Sequence, residues 1–475
     1  MYILKSSCDG KEQTDEPPSQ TVLEEKARLG STVIPGPSTG SASLTAGTLR
    51  TSPSNERRTS QKQPVSAHFN DWRWQMSNRI RTIEQLVGQF PNLANQNEIA
   101  AVAKRYPMAI TPYYASLIRR LDFSDPIFTM SIPQISELSD PAFLSADPLE
   151  ETKDMPVPGL VHRYPDRALI IATTACASYC RHCTRKRIAG TREVGISQAR
   201  LRQIIAYLGV HPEISDVIVS GGDPFTLTTQ AIEQILIALR SVPSVDIIRL
   251  GTRTPVVLPM RITNELVTML RKYHPIWINT HFNHPDEITE QSRQACAKLV
   301  DAGFPLGNQS VLLRGVNDDP KVFEKLCKNL IKNRVRPYYL FQCDIVKGVE
   351  HFRTPISSGI QIMEYLRGRV SGLAIPLYIV DAPHGGGKIP ILPNYVVSVS
   401  PTHTVLRNYE GMLVSYPEPA ADVSAAKDKQ SISEGDCVWS LSNGDASAII
   451  PGSTKRHQRR QNISQANNLL AREKF

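Results

Sequence analysis

A chain of 475 residues, 41% of them apolar, can bury a sizeable core and more than one structural unit. Lys+Arg 54 against Asp+Glu 45 leaves a net charge of +9, a bias towards anions in general that does not name nucleic acid. No apolar run reaches the ~18 residues of a membrane span, and the start, Met1-Tyr2-Ile3-Leu4-Lys5, is too short for a signal peptide, so a soluble, cytoplasmic protein is expected.

Residues 1 to about 65 are rich in Ser, Thr, Pro, Gly, Glu and Lys without apolar periodicity, and a disordered leader is expected there. Asp9, Glu12, Asp15, Glu16, Glu24 and Glu25 argue against a transit segment. Order is predicted from Asp71-Trp72-Arg73-Trp74, and the Ile80/Ile83/Leu86 spacing with Tyr113–Ile118 predicts a packed helical region over 66–155.

After Pro156 the texture changes. Ala168–Thr174, Val217–Ser220, Ile247–Gly251, Ile276–Thr280, Gln309–Leu313 and Tyr338–Cys343 are short apolar runs that read as strands. Helical patterns such as Gln230–Leu239, Glu287–Ala302 and Val322–Lys332 lie between them. This alternation predicts six parallel β/α units over 156–370, a full or partial barrel, because parallel strands need crossovers. A further extended pair, Ala374–Val380 and Lys388–Leu392, flanks a glycine-rich turn within a 371–415 segment. The end, 416–475, is polar and irregular, so a loosely attached extension is expected, with Lys455–Arg460 as a solvated basic run.

Eight cysteines are too few for a disulfide scaffold in so long a chain, yet three crowd into Cys176-Ala-Ser-Tyr-Cys180-Arg-His-Cys183. They follow the first predicted strand, hence the C-terminal end of a barrel strand, where barrel active sites gather. A structural zinc would need a fourth close ligand, and His182 is badly placed beside Cys183. A [4Fe–4S] cluster on three thiolates leaves one iron open for a ligand. Asp381-Ala-Pro-His-Gly-Gly-Gly-Lys388 is the second strong signal: three glycines allow close backbone approach beside a fixed lysine, with a spacing unlike a Walker A loop.

Cys-x3-Cys-x2-Cys resembles the signature of the radical S-adenosylmethionine (SAM) superfamily. The context Thr173–Arg187, with Ser220-Gly-Gly-Asp-Pro224, Gly251–Pro255, Asn279–Pro285 and Gly307–Asn317, is similar to the lysine 2,3-aminomutase family from about residue 70 to 417, leaving the leader and tail outside. The resemblance implies a partial (β/α)6 TIM-like radical SAM barrel with an N-terminal helical region and a C-terminal extension. It implies a [4Fe–4S] cluster on Cys176, Cys180 and Cys183, SAM on its open iron, and pyridoxal 5′-phosphate (PLP) in Schiff-base linkage to Lys388. Gly221, Gly222 and Asp223 match the segment that receives SAM, with His281, Asn283 and Gln309 as further SAM-side candidates. Arg163 and Tyr164 match residues serving PLP, Arg185 the arginine taking the substrate carboxylate, and Asp344 and Asp381 the pair taking a cationic side chain.

The implied reaction is radical 2,3-migration of the amino group of free L-lysine, giving β-lysine, with an electron donor such as flavodoxin or ferredoxin. A homo-oligomer, dimer or larger, is expected, with no nucleic-acid or membrane partner. L-Arginine as substrate, a role in elongation-factor modification, a nucleic-acid-modifying radical enzyme and a non-catalytic Fe–S scaffold are the alternatives. The family's additional zinc site has no counterpart: only Cys437 remains in the tail, and Asp319 stands at the internal ligand position. Cys296 and Cys327 read as buried small hydrophobes, and Cys343, beside Asp344, is assigned no role.

Overall fold

The computed structural model describes residues 68–190, 192–400, 403–417, 419 and 458–463. The expected leader therefore lies outside the described residues. Nine strands form one sheet in chain order: β1 Leu160–Tyr164, β2 Arg167–Thr173, β3 Asp216–Gly221, β4 Ile247–Gly251, β5 Ile276–Thr280, β6 Leu306–Leu312, β7 Arg336–Gln342, β8 Leu377–Ala382 and β9 Gly387–Pro390. β2 to β8 run parallel, while β1 and β9 pair antiparallel with their neighbours at the two edges. This is the expected partial barrel, flanked by N-terminal helices.

Five short N-terminal helices come first: α1 Trp72–Ser77, α2 Ile83–Gln89, α3 Gln96–Arg105, α4 Pro112–Ala115 and α5 Pro126–Ser131. Then come α6 Gln198–Gly209, α7 Thr229–Arg240, the single turn α8 Thr254–Val257, α9 Asn264–Arg271, α10 Glu290–Asp301, α11 Pro320–Lys332 and α12 Ile356–Leu366. The crossover helices start where the sequence supplies a cap: the Ser197, Thr228, Thr263, Thr289 and Asp319 side chains accept backbone N–H groups of the first turn. Asp319 is thus an N-cap of α11. Cys296 and Cys327 sit buried on α10 and α11, as expected.

Alternation along the strands explains the cavity. In β3, Val217 and Val219 are fully buried against the helices, whereas Ile218 and Ser220 line an interior space. β6 repeats the pattern, with Gln309 and Val311 lining that space between buried neighbours. Polar and small inward residues leave the barrel unfilled, unlike a side-chain-packed TIM core.

Four expectations need correction. Ile80 lies in an isolated bridge with Ile110 rather than in a helix, because helix α2 begins only at the Thr82 cap. The helix after the fourth unit opens at Glu290, since Pro285–Glu287 forms a separate 3-10 turn. β8 begins at Leu377, after a 3-10 turn over Gly372–Ala374. Residues to 417 form an antiparallel three-stranded sheet, β10 Val396–Val399, β11 His403–Arg407 and β12 Leu413–Pro417.

The N-terminal helices act as a cradle for the cysteine loop. Tyr179 N donates to Ala109 O at 2.9 Å, Arg181 N to Met130 O at 3.0 Å, and Arg79 Nη1 to Cys176 O at 2.6 Å. Beneath the loop, buried Glu137 accepts from Arg181 Nη2 at 2.5 Å and Lys186 Nζ at 2.6 Å. Glu137→Ala strands two buried cations, a loss of about 3–5 kcal/mol. Urea unfolding of the variant is expected to show that destabilisation, and an unchanged midpoint would contradict the cradle.

Candidate active site

A cavity of ≈ 610 Å³ runs through the barrel and is lined by nearly all the residues singled out from the sequence. It is lined by Cys176, Cys180 and Cys183 on the loop after β2, and by Arg163, Tyr164, Asp344, Asp381 and Lys388. Gly221, Gly222, Asp223, His281, Asn283, Gln309 and Arg185 complete it. The volume suits a cofactor and a small substrate together.

Backbone crowding explains the two glycines after β3. A Cβ on Gly222 would stand 2.2 Å from Ala175 O, and one on Gly221, at φ +121°, 2.4 Å from Thr173 O. Glycine here lets the strand end pass directly against the cysteine loop. Asp223 is buried and accepts from Phe225 N at 3.0 Å, Thr252 Oγ1 at 2.7 Å and Arg253 N at 2.8 Å. Its carboxylate holds the Arg253 turn.

Arg253, quoted in the sequence but given no role there, is the connection to the thiols. Its Nη1 donates to Cys180 Sγ at 2.6 Å, and its Nη2 to Glu287 Oε1 at 2.6 Å and Tyr114 Oη at 2.9 Å. Among the described residues no three His, Cys, Asp or Glu side chains close on a single ion. The three thiols nevertheless share one wall, a donor set that matches a multi-iron cluster in which each thiolate takes a different iron. Burial raises the Cys183 thiol to about 11, so a bound cation would have to supply the charge that ionises it.

His182, beside Cys183 in the chain, also lines the cavity. Its ring stands edge-on to Phe352, and its Nε2 lies 3.3 Å from Asn283 Nδ2. Asn283 is itself committed: Oδ1 accepts from Val311 N at 2.8 Å. His281 Nδ1 meets Gln309 O at 3.2 Å, and burial together with Arg253 pushes this imidazole down to about 4, so it is neutral at pH 7.

The opposite wall is electrostatic. Lys388 Nζ lies 2.8 Å from Asp381 Oδ2, with Arg163 Nη1 4.0 Å from the other Asp381 oxygen. Tyr164 Oη accepts from Lys388 N at 3.0 Å, and Gly387, at φ +85°, passes within 3.2 Å of that oxygen at its would-be Cβ. The hairpin β8–β9 thereby fixes Lys388 at the cavity edge. Asp344 accepts from Thr184 Oγ1 at 2.9 Å, and burial plus the facing Asp381 charge raise it to about 7. Cys343, next to it, is buried, which pushes its thiol up and leaves it unreactive.

Arg185 is held rather than loose. Glu151 accepts from its Nε at 3.0 Å and Nη2 at 2.6 Å, while Nη1 points past Gly221 O at 3.5 Å. The buried Glu151 was not legible as a functional residue, because its partner is 34 positions away.

Comparison with known proteins adds the family. The radical SAM superfamily model matches residues 170–326, and the model described as lysine-2,3-aminomutase matches residues 363–474. The latter corrects the expectation that the likeness stops near 417. The L-lysine 2,3-aminomutase of Clostridium subterminale is 50% identical over 406 residues, 84% of this chain and 97% of that protein. That of Acetoanaerobium sticklandii is 47% identical over 397 residues, 82% and 96%. The glutamate 2,3-aminomutase of Clostridioides difficile is 48% identical over 357 residues, 75% and 84%.

Two outcomes follow from the geometry. Gly222→Ala forces the β3 end off the cysteine loop, and iron bound per chain after anaerobic reconstitution is expected to fall severalfold; full occupancy would contradict the packing argument. Asp344 is destabilising when ionised: its folded pKa lies above the unfolded one, so the stability its proton confers is present at low pH and lost as pH rises through about 7. In ligand-free protein Asp344→Asn is expected to stabilise at pH 8 by at most about 4 kcal/mol and to do little at pH 4, as read by urea unfolding.

Proposed function

The chain belongs to the lysine 2,3-aminomutase family of radical SAM enzymes, and we propose on that premise that it converts L-lysine to β-lysine by moving the amino group from Cα to Cβ. The observation that carries the substrate assignment is the half-buried Asp344–Asp381 pair in the same cavity as Lys388. Overall identity does not separate the lysine and glutamate relatives, at 47–50% and 48%, so side-chain chemistry has to.

Cys176, Cys180 and Cys183 would hold the cluster, with SAM between them, Gly222, His281 and Gln309. Lys388, Arg163 and Tyr164 would hold PLP. When bound, these groups supply a radical able to take hydrogen from an unactivated carbon and an imine through which nitrogen can move. The protein's own part is placement and charge. Arg185, with its Nε edge fixed by Glu151, presents Nη1 to the substrate carboxylate. The Lys388 ammonium on Asp381 shows how a primary ammonium sits against this pair. Once Lys388 is committed to PLP its charge no longer serves Asp381, and the acid pair requires another cation. The ε-ammonium of L-lysine supplies it. A glutamate side chain would add a third negative charge. Neutral His281 and the buried walls keep stray proton donors away from the reacting carbons. Reduction of the cluster calls for a one-electron carrier of flavodoxin or ferredoxin type.

Reconstituted protein given SAM, PLP and dithionite without oxygen should be offered L-lysine, L-arginine and L-glutamate separately, with β-amino acids read by mass spectrometry. β-Lysine in clear excess is expected, falling about a thousandfold or more in Lys388→Ala. A dominant arginine product would keep the chemistry and replace the substrate. SAM cleavage with no β-product from any of the three would overturn the reading.

A further inference from the structure

The basic run near the C-terminus is not a solvated tail where it is described. Residues 458–463 are helical and their arginines contact chain that lines or flanks the cavity. Arg460 Nε donates to Asp154 Oδ1 at 2.7 Å, and its Nη1 to Glu150 Oε2 at 2.7 Å. Arg459 Nη2 donates to the backbone oxygen of Arg163 at 2.8 Å. The expectation for Lys455–Arg460 is corrected at Arg459 and Arg460, because a backbone carbonyl meets Arg459 while the buried Asp154 and half-buried Glu150 carboxylates meet Arg460.

Both targets of Arg460 lead into the site. Asp154 is 2% exposed, and its other oxygen accepts from Arg163 Nε at 3.1 Å. Glu150 also meets the His384 ring at 3.2 Å, in the turn that leads to Lys388, and His384 N donates to Pro148 O at 3.1 Å. One guanidinium therefore braces the two pieces of chain that carry Arg163 and Lys388. Asp154 is shared between Arg163 and Arg460, so loss of Arg460 draws more of the Arg163 charge onto Asp154 and away from any anion in the cavity. A buried carboxylate shared between two guanidiniums leaves each with spare positive charge.

We propose that Arg460 is a positioning residue for the cofactor wall: by bridging Asp154 to Glu150, which Lys153 Nζ also meets at 2.9 Å, it keeps Arg163 available to the PLP phosphate and holds the His384–Lys388 turn in place. The C-terminal helix is then a clasp that completes the PLP site and leaves the SAM side untouched. This rests on PLP being the partner of Lys388.

The test is PLP titration of full-length protein, following the visible absorbance of Lys388-bound PLP, in wild type, Arg460→Gln and Arg460→Lys, with the exposed Arg293→Gln as control. The glutamine variant is expected to bind PLP about tenfold more weakly and the lysine variant in between. Reductive SAM cleavage and iron content should stay at the wild-type level in both. Wild-type affinity in both Arg460 variants would overturn the clasp. So would a loss of iron and of melting temperature that tracks the loss of PLP in both, since that marks general structural damage. Absence of the absorbance band in wild type itself would instead remove the reading of Lys388 on which the clasp depends.

Discussion

Buried negative charge without enough cation is the constraint around which this site is organised. Asp344 and Asp381 face one cavity, and burial beside Asp381 lifts Asp344 to about 7, far above a carboxylate in water. Lys388 compensates Asp381 at 2.8 Å, and Arg163 stands 4.0 Å off on the other side. A pocket in this condition favours whichever ligand brings a positive charge to the right depth, and it penalises an anion in the same place. The preference follows from electrostatics inside the barrel, where relatives of equal overall identity differ in substrate.

The second requirement is that the cysteine loop be fixed before anything binds to it. Three features achieve this from different parts of the chain. The N-terminal helices accept and donate along the loop backbone, Glu137 ties Arg181 and Lys186 below it, and the Gly221-Gly222 turn lets β3 pass against it. Asp223 then aims the Arg253 turn, so that a guanidinium anchored on Glu287 reaches Cys180. The same loop places Arg185 over the cavity. On the proposed roles, the cysteines and Arg185 share one hydrogen-bonded segment, so cluster and substrate carboxylate would be placed together.

The sequence showed the central parallel strands clearly, since β3 to β5 are short apolar runs rich in Val and Ile, β7 carries an aromatic Tyr-Tyr-Leu-Phe core, and capped helices separate the strands. It showed β9 as the extended Lys388–Leu392 after the glycine-rich turn, but it did not show β1 as a strand. β1 is a short edge strand carrying His162 and Arg163, and an edge beside a cavity does not need apolar alternation. Strands β10 to β12, mostly exposed, gave no burial pattern to read. At the site, the cysteines were legible from their local spacing, whereas Lys388 and the two aspartates were read through the family resemblance of the segments that carry them. Glu151, Arg253, Glu287 and Arg460 were not, because each acts through a partner elsewhere in the fold: Arg253 reaches Cys180 across 73 positions and Arg460 reaches Glu150 across 310. A run of arginines in a polar tail looks the same whether it meets water or a buried carboxylate.

The account stands or falls on the acid pair accepting the side-chain cation. Calorimetric titration at pH 6, in two buffers of different ionisation enthalpy, counts the protons released when an amino acid binds to PLP-loaded protein. L-Lysine and L-norleucine share the same α-carbon chemistry, so their difference isolates the side-chain end. Asp344, mostly protonated at that pH, must ionise to meet an ammonium, and the account expects L-lysine to release close to one proton more than L-norleucine, about zero more in Asp344→Asn. Equal proton release for the two amino acids in the unmodified protein would contradict it.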